Sequence, residues 1–410
     1  MKKRLLICCA LALGLFWLLP AQNGFHLPPG RRQVDIPFEY SNNFIILTLH
    51  FNGFLPLKFI FDTGAEHTVL TKREISDLMK VPYEREFQIT GSDLTTPLIA
   101  YLARRIRFDI PEKAVAPSED ILVLQEDYFR FEEYAGIEVH GILSANAFSR
   151  YIIKINYQRR VITLYDRDYF RPPGNDYLAI PLEIYRNKPY VNTTLQVLPD
   201  SAAQVKLLLD TGAGMSLLLF TDTHPLLHPP ANALASNIGM GLGGYLEGFA
   251  GRVFRLELGQ FSQQNIVTFF QQIDTTVNYE YLNKRNGLLG NGLLSRFSLI
   301  IDYQKQQLWL KPTKNYQAEY VFDRSGLSII ASGPKLDVFI VQNVLPNSPA
   351  LEADIRPGDQ ILRVGTTPSV FLTLPDIQRK LLGKPGKKVK ITLRRDGEKM
   401  KKTVVLRDML

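Results

Sequence analysis

One ten-residue string occurs twice in this chain, and it limits the fold more than any other feature. The first copy is Phe61-Asp62-Thr63-Gly64-Ala65-Glu66-His67-Thr68-Val69-Leu70. The second is Leu209-Asp210-Thr211-Gly212-Ala213-Gly214-Met215-Ser216-Leu217-Leu218. Each follows a run of β-forming apolar residues, Lys58-Phe59-Ile60-Phe61 and Val205-Lys206-Leu207-Leu208-Leu209. An Asp at a strand end, followed by a small hydroxyl residue and a glycine, fits a tight loop whose backbone and hydroxyl donors hold the carboxylate. One such loop is an ordinary turn. Two in matching surroundings can bring a pair of carboxylates together across a pseudo-two-fold axis.

The surroundings do match. Gly141/Gly287, Ser149/Ser295, Arg150/Arg296 and Tyr157-Gln158/Tyr303-Gln304 all pair at one offset, 146 residues (Gly141 to Gly287), and the Asp pair at nearly the same one. Only two copies exist, so the repeat means two similar lobes and not a solenoid. A junction, Arg171-Pro172-Pro173-Gly174, separates them. The expected units are 34–171 and 172–313, with a third, unrelated unit over 320–410. At 410 residues the chain is too long for one core. Its 24 Phe and 18 Tyr, with many Val, Ile and Thr clusters, point to a mainly β fold. In the first unit, Phe44 to Phe51, the turn Asn52-Gly53, and Leu55 to Phe61 read as a hairpin that delivers Asp62.

The first residues read as an export signal. Lys2-Lys3-Arg4 is a positive leader to an apolar stretch from Leu5 to Leu19, short for a spanning helix. Residues 1–21 are expected to be a signal peptide or an uncleaved N-terminal anchor, and 22–33 a linker. This implies a periplasmic or cell-envelope protein, with membrane association if residues 5–19 stay attached. The two cysteines, Cys8 and Cys9, lie inside that segment, so the exported part has no disulfide, thiol nucleophile or cysteine metal site. The net charge of +8 comes without a basic helix or basic-aromatic repeat, so nucleic acid is not an expected partner. His224 and His228 are four apart, but Pro225 and Pro229-Pro230 argue against a helical metal face. No metal or organic cofactor is expected.

Two carboxylates in contact cannot both ionise easily. One keeps a proton, which places a base and an acid in one site. Such a pair can deprotonate a water that attacks an amide carbonyl and protonate the carbonyl oxygen. The string Asp62 to Leu70 resembles the active-site string of retropepsin-type aspartic proteases. Ile142-Leu143-Ser144-Ala145-Asn146 and Leu288-Leu289-Gly290-Asn291-Gly292 resemble that family's apolar-apolar-Gly segment. With both lobes in one chain, the architecture is similar to pepsin. The resemblance covers Val34 to Pro312. It implies that Asp62 and Asp210 are a catalytic dyad, with Thr63, Gly64, Thr211 and Gly212 supporting the loops and the threonines bracing them across the interface. Ser144 departs from the pattern, standing where Gly290 keeps the glycine. The Gly-rich stretch with Gly241, Gly243 and Gly244 is the expected flap, preferred over Thr90 to Thr96.

The third unit resembles a bacterial-type PDZ domain. Asn347-Ser348-Pro349-Ala350 and Arg356-Pro357-Gly358-Asp359-Gln360-Ile361-Leu362 carry the resemblance. It implies that Gly326, Leu327, Ser328 and Ile329 form a loop that takes a peptide's terminal carboxylate, beside a groove helix from Leu374 to Leu382. The sequence therefore points to an exported aspartic endopeptidase acting on a peptide or protein substrate, whose PDZ unit binds a C-terminal peptide or regulates access. The alternative is a non-catalytic peptide-binding scaffold that keeps the protease fold.

Overall fold

The computed structural model describes residues 24–91, 96–241, 244–273, 280 and 282–410. The expected signal or anchor, residues 1–21, and Gly243 of the expected flap lie outside them. The fold is mainly β, in four sheets.

The internal repeat appears as two eight-stranded sheets of the same strand order. In the first, the strands run Glu39–Ser41, Phe44–Phe51, Leu55–Asp62, Gly141–Ser144, Val69–Leu70, Ala114–Leu124, Pro97–Ile110, Tyr83–Thr90. In the second they run Glu183–Tyr185, Lys188–Gln196, Ala202–Leu209, Gly287–Leu289, Leu217–Phe220, Phe261–Gln271, Gly244–Leu258, Leu234–Gly241. In both, the strand that carries the Asp pairs in parallel with the Gly-flanked apolar strand, Phe61 with Leu143 and Leu209 with Leu289. These strands read as continuous apolar runs because they are covered on both faces. Each such strand starts on a glycine for a close-approach reason. A Cβ at Gly141 would lie 2.2 Å from the Val69 carbonyl oxygen, and one at Gly287 1.9 Å from that of Leu218.

A six-stranded sheet joins the repeats. Its order is Gln33–Pro37, Val161–Tyr165, Ile152–Asn156, Phe297–Asp302, Gln307–Pro312, Leu178–Pro181. The seam is antiparallel, Ile153 opposite Ile301 and Ile155 opposite Leu299. One apolar core, including Ile153, Ile155, Phe148, Leu299 and Phe297, runs through both halves.

The expected linker, 22–33, is not a linker over its described part. Phe25 is fully buried, its ring 4.6 Å from that of Phe148, and His26 forms a bridge with Val115. Burying an aromatic side chain outweighs the turn signals of Pro28-Pro29-Gly30.

The third unit has its own core of Ile329, Phe339, Val341, Ile361, Ile377, Ile391 and Val404. Its sheet order is Leu327–Ser332, Val338–Val344, Gln360–Val364, Lys388–Arg395, Glu398–Val405, so Leu327–Ser332 is an edge strand. The helix Leu374–Leu381 starts with a capping box between Thr373 and Asp376 and buries Leu374, Ile377 and Leu381. The unit packs on the first repeat, where the short helix Phe131–Ala135 lies against the edge strand Leu327–Ser332.

Candidate functional site

Asp62 and Asp210 meet at the floor of a cavity of about 1450 Å³. The loops that carry them are fastened to each other by four hydrogen bonds in a reciprocal pattern. The Thr63 amide donates to Thr211 Oγ1 at 3.0 Å, and the Thr211 amide donates to Thr63 Oγ1 at 3.0 Å. Each hydroxyl then donates across the interface, Thr63 to the Leu209 carbonyl at 2.6 Å and Thr211 to the Phe61 carbonyl at 2.9 Å. Both threonines are buried, so no donor or acceptor in this set has water as an alternative.

The glycines have an equally direct reason. A Cβ on Gly64 would lie 2.8 Å from Asp210 Cγ, and one on Gly212 2.3 Å from Asp62 Cγ. Each glycine thus leaves the space that the opposite carboxyl fills. Within its own loop, Asp62 Oδ1 accepts from the Gly64 amide at 2.6 Å and the Ala65 amide at 3.2 Å, and Asp210 Oδ1 accepts from the Gly212 amide at 2.8 Å. Each carboxyl therefore lies against the opposite loop, close enough for the charge of one to act on the other.

Both residues keep some accessible surface toward the cavity, yet protein surrounds their carboxyls closely enough for desolvation to dominate. Burial first, then the charge of Asp210, push the Asp62 carboxyl well above the usual carboxylate range, against the pull of the Gly64 amide. Burial also raises Asp210, and the Arg285 guanidinium is the largest opposing influence. Two carboxyls placed this way titrate as a pair, and the charge of one opposes ionisation of the other.

Ser144 supports its loop through its side chain. Its hydroxyl donates to the Ala65 carbonyl at 2.7 Å and its amide donates to Thr68 Oγ1 at 3.2 Å. On the other side, Gly290 leaves room for the carbonyls of Met215 and Ala213, which a Cβ would meet at 2.2 and 2.7 Å. Asn291 then bonds Thr211 O through Nδ2 at 2.6 Å and accepts from the Tyr157 hydroxyl at 2.7 Å, a tie across the repeats.

Both hairpins read as flaps reach the cavity. Phe87, Gln88, Ile89 and Thr90 line it from the first repeat, Gly241 and Leu246 from the second. Gly241 pairs with Gly244, which closes the second hairpin with φ near 119° at Gly244. Three cations of the second repeat also line the cavity, Arg186, Lys188 and Arg285. They stand outside any motif, and only the fold brings them beside the dyad.

The third unit shares this cavity. Asp323, Ser325, Leu327, Gln378, Arg379 and Leu382 line its far end. The loop expected to receive a terminal carboxylate already holds one of its own. Asp323, raised by burial, accepts from the Ser325 amide and hydroxyl at 2.8 Å each and from the Gly326 amide at 2.6 Å. The Leu327 amide donates to Ser325 Oγ at 3.2 Å, while Ser328 and Ile329 belong to the edge strand. Of the four expected loop residues, Gly326 and Leu327 therefore have their amides engaged within the unit, Gly326 on Asp323 and Leu327 on Ser325 Oγ.

Residues 340–395 match the family described as PDZ domain. The third unit carries a PDZ domain. The matched stretch begins after Gly326–Ile329, so that loop is placed by the fold, as the start of the edge strand that borders the groove helix. A PDZ domain is a peptide-recognition module, which makes peptide or protein the class of partner for this unit. No curated protein matches the chain. Among solved structures, a photosystem II D1 C-terminal processing protease matches at 26% identity with a TM-score of 0.20. That match covers 21% of this chain and 23% of the other.

Proposed function

We propose that the chain is an exported aspartic-type endopeptidase, built as a two-lobed, pepsin- or retropepsin-like body over 34–171 and 172–313 with a PDZ unit over 320–410. The observation that carries this reading is the reciprocal threonine lattice. It holds each carboxyl against the glycine of the opposite loop, in a cavity large enough for an extended peptide.

In this reading the ionised carboxyl of the pair takes a proton from a water between Asp62 and Asp210. The water oxygen attacks the amide carbon, and the protonated carboxyl gives its proton to the carbonyl oxygen. The resulting diol collapses as its C–N bond breaks. The carboxyl that took the water proton hands a proton to the departing nitrogen, and a hydroxyl of the diol returns one to the other carboxyl. No metal or organic cofactor enters the scheme. The hairpins that line the cavity exclude bulk water from it. The PDZ unit, opening onto the same cavity, recruits a peptide terminus or controls entry.

The alternative reading is a non-catalytic scaffold; the bond from the Ser144 hydroxyl to the Ala65 carbonyl, which braces the first loop where the family pattern has glycine, favours the catalytic reading. The test is peptide cleavage by purified protein. Asp62→Asn and Asp210→Asn should each abolish turnover while keeping the circular dichroism spectrum of the wild type. Full activity in either variant overturns the mechanism.

A further inference from the structure

The two halves of the cavity are built alike, yet they differ in charge at equivalent positions. The hairpins Glu39–Ser41/Phe44–Phe51 and Glu183–Tyr185/Lys188–Gln196 hold the same place in strand order. Each turns through two residues of left-handed backbone, Asn42-Asn43 in one and Arg186-Asn187 in the other. The hairpins thus correspond residue by residue, and Phe44 stands where the second repeat has Lys188. The next wall is exchanged in the same way. Gly214, after the second Asp-Thr-Gly, sits against the Phe44 ring and the Asn42 carbonyl, and its counterpart after the first Asp-Thr-Gly is Glu66, beside Lys188 and Arg186.

Phe44 is packed in apolar surroundings. Its ring is edge-on to Phe131 at 4.7 Å, within a cluster that includes Ile46, Ile60 and Phe129. Lys188 is only loosely paired. Its side chain keeps 14% of its surface, and among the described residues its ion pair is with Glu66 at 3.7 Å, too long for a good hydrogen bond. Glu66 is shared, with Arg186 at 3.8 Å and His67 at 3.9 Å. Burial and the nearby Arg285 charge hold the Lys188 ammonium below its usual range, with Glu66 and Asp62 pulling the other way and Arg186 adding to the repulsion. The ammonium thus carries its charge at a largely buried place with only loose pairing, where a close carboxylate would be held more strongly than in open water. Lys188 and Arg285 both line the cavity that holds Asp62 and Asp210. A carboxylate brought in by a ligand would supply a closer acceptor than Glu66 does.

We propose that Lys188, flanked by Arg186 and Arg285, is a specificity-determining residue that forms a subsite for an acidic side chain of the bound peptide, opposite an apolar subsite at Phe44. The turnover readout of this inference rests on the dyad mechanism above; its binding readout does not.

The experiment uses the full chain and pairs of peptides identical except for Glu or Gln at one position, scanned through the positions flanking the cut. Wild type should prefer Glu over Gln at one position by about tenfold or more in kcat/KM, the size of one charge-assisted hydrogen bond. Lys188→Met should bring that ratio to about one, Lys188→Glu should invert it, and Lys188→Arg should keep it. The same labelled pairs are titrated by fluorescence anisotropy onto the Asp62→Asn protein. If nothing is cleaved but the Glu peptide still binds more tightly in a Lys188-dependent way, the dyad mechanism fails and the subsite stands. Equal cleavage and equal binding of Glu and Gln peptides at every position, or a preference that survives Lys188→Met, overturns the subsite. Should Lys188→Met fail to fold, the ratios for Lys188→Glu and Lys188→Arg decide the matter.

Discussion

Thr211→Val gives the sharpest test of how the two loops are held. Valine keeps the shape of threonine and removes the hydroxyl. Thr211 Oγ1 donates to the Phe61 carbonyl and accepts from the Thr63 amide, so both of those backbone groups lose their partners. Thr211 is fully buried, and water cannot replace it. A buried backbone group left without a partner costs about 1–3 kcal/mol, so two cost about 2–6 kcal/mol. That is a large share of a typical stability of about 5–15 kcal/mol. Thr63→Val removes the mirror set, the bonds to the Leu209 carbonyl and from the Thr211 amide, and should cost a similar amount. The two sets share no hydrogen bond, so any departure from additivity in the double variant measures cooperation between the loops. Thr211→Ser keeps both bonds and loses one methyl, about 1 kcal/mol. The assay is urea unfolding followed by the fluorescence of Trp309, which is buried on the strand Gln307–Pro312 of the sheet joining the repeats. A Thr211→Val protein within about 0.5 kcal/mol of wild type, or a Thr211→Ser protein as unstable as Thr211→Val, refutes the reasoning.

Three further outcomes follow from the same geometry. Gly212→Ala places a Cβ 2.3 Å from Asp62 Cγ; kcat should fall by about a hundredfold or more as the carboxyl is displaced, measured at saturating peptide. Asp62→Asn keeps an oxygen for the Gly64 and Ala65 amides but removes a carboxyl whose folded-state pKa is raised, mainly by burial. A raised carboxyl contributes stability that is complete below its unfolded pKa of about 4 and is lost as pH rises through the folded value. The variant should therefore melt above the wild type near neutral pH, with the gap closing below about pH 4; a gap that widens on acidification contradicts the assignment. Arg285→Gln removes the charge that holds Asp210 down, so the acidic limb of the kcat/KM profile should move to higher pH. An unmoved limb would mean that Arg285 does not act on the dyad.

Local chemistry made much of this fold readable. The strand Phe44–Phe51 appears with the bounds that alternation and the Asn52-Gly53 turn suggested, because its apolar face and its punctuation agree. The pairing of Asp62 with Asp210 was readable because the duplication carried the information about long-range contact. Lys188 and Arg285 were not readable as site residues. Nothing local distinguishes them from surface cations, and only the Arg186-Asn187 hairpin turn and the placing of the strand Gly287–Leu289 bring them to the cavity. Asp323 escaped for a different reason. The amide of Gly326 is claimed by a carboxylate three positions earlier in the chain, outside the four residues that the family pattern singles out. Phe25 shows the reverse error, in which Pro and Gly punctuation suggested a free segment that a single buried ring ties down.

The exchange of Phe44 for Lys188 gives the cavity a sense of direction. Had the site been formed by two identical chains, every substitution would be written twice, and the two ends of the groove would be indistinguishable to a ligand. Joining the copies in one chain lets each wall change alone. A peptide backbone has its own polarity, from amino to carboxyl end. A groove with an aromatic ring on one wall and an ammonium on the other can admit that backbone in one orientation in preference to its reverse.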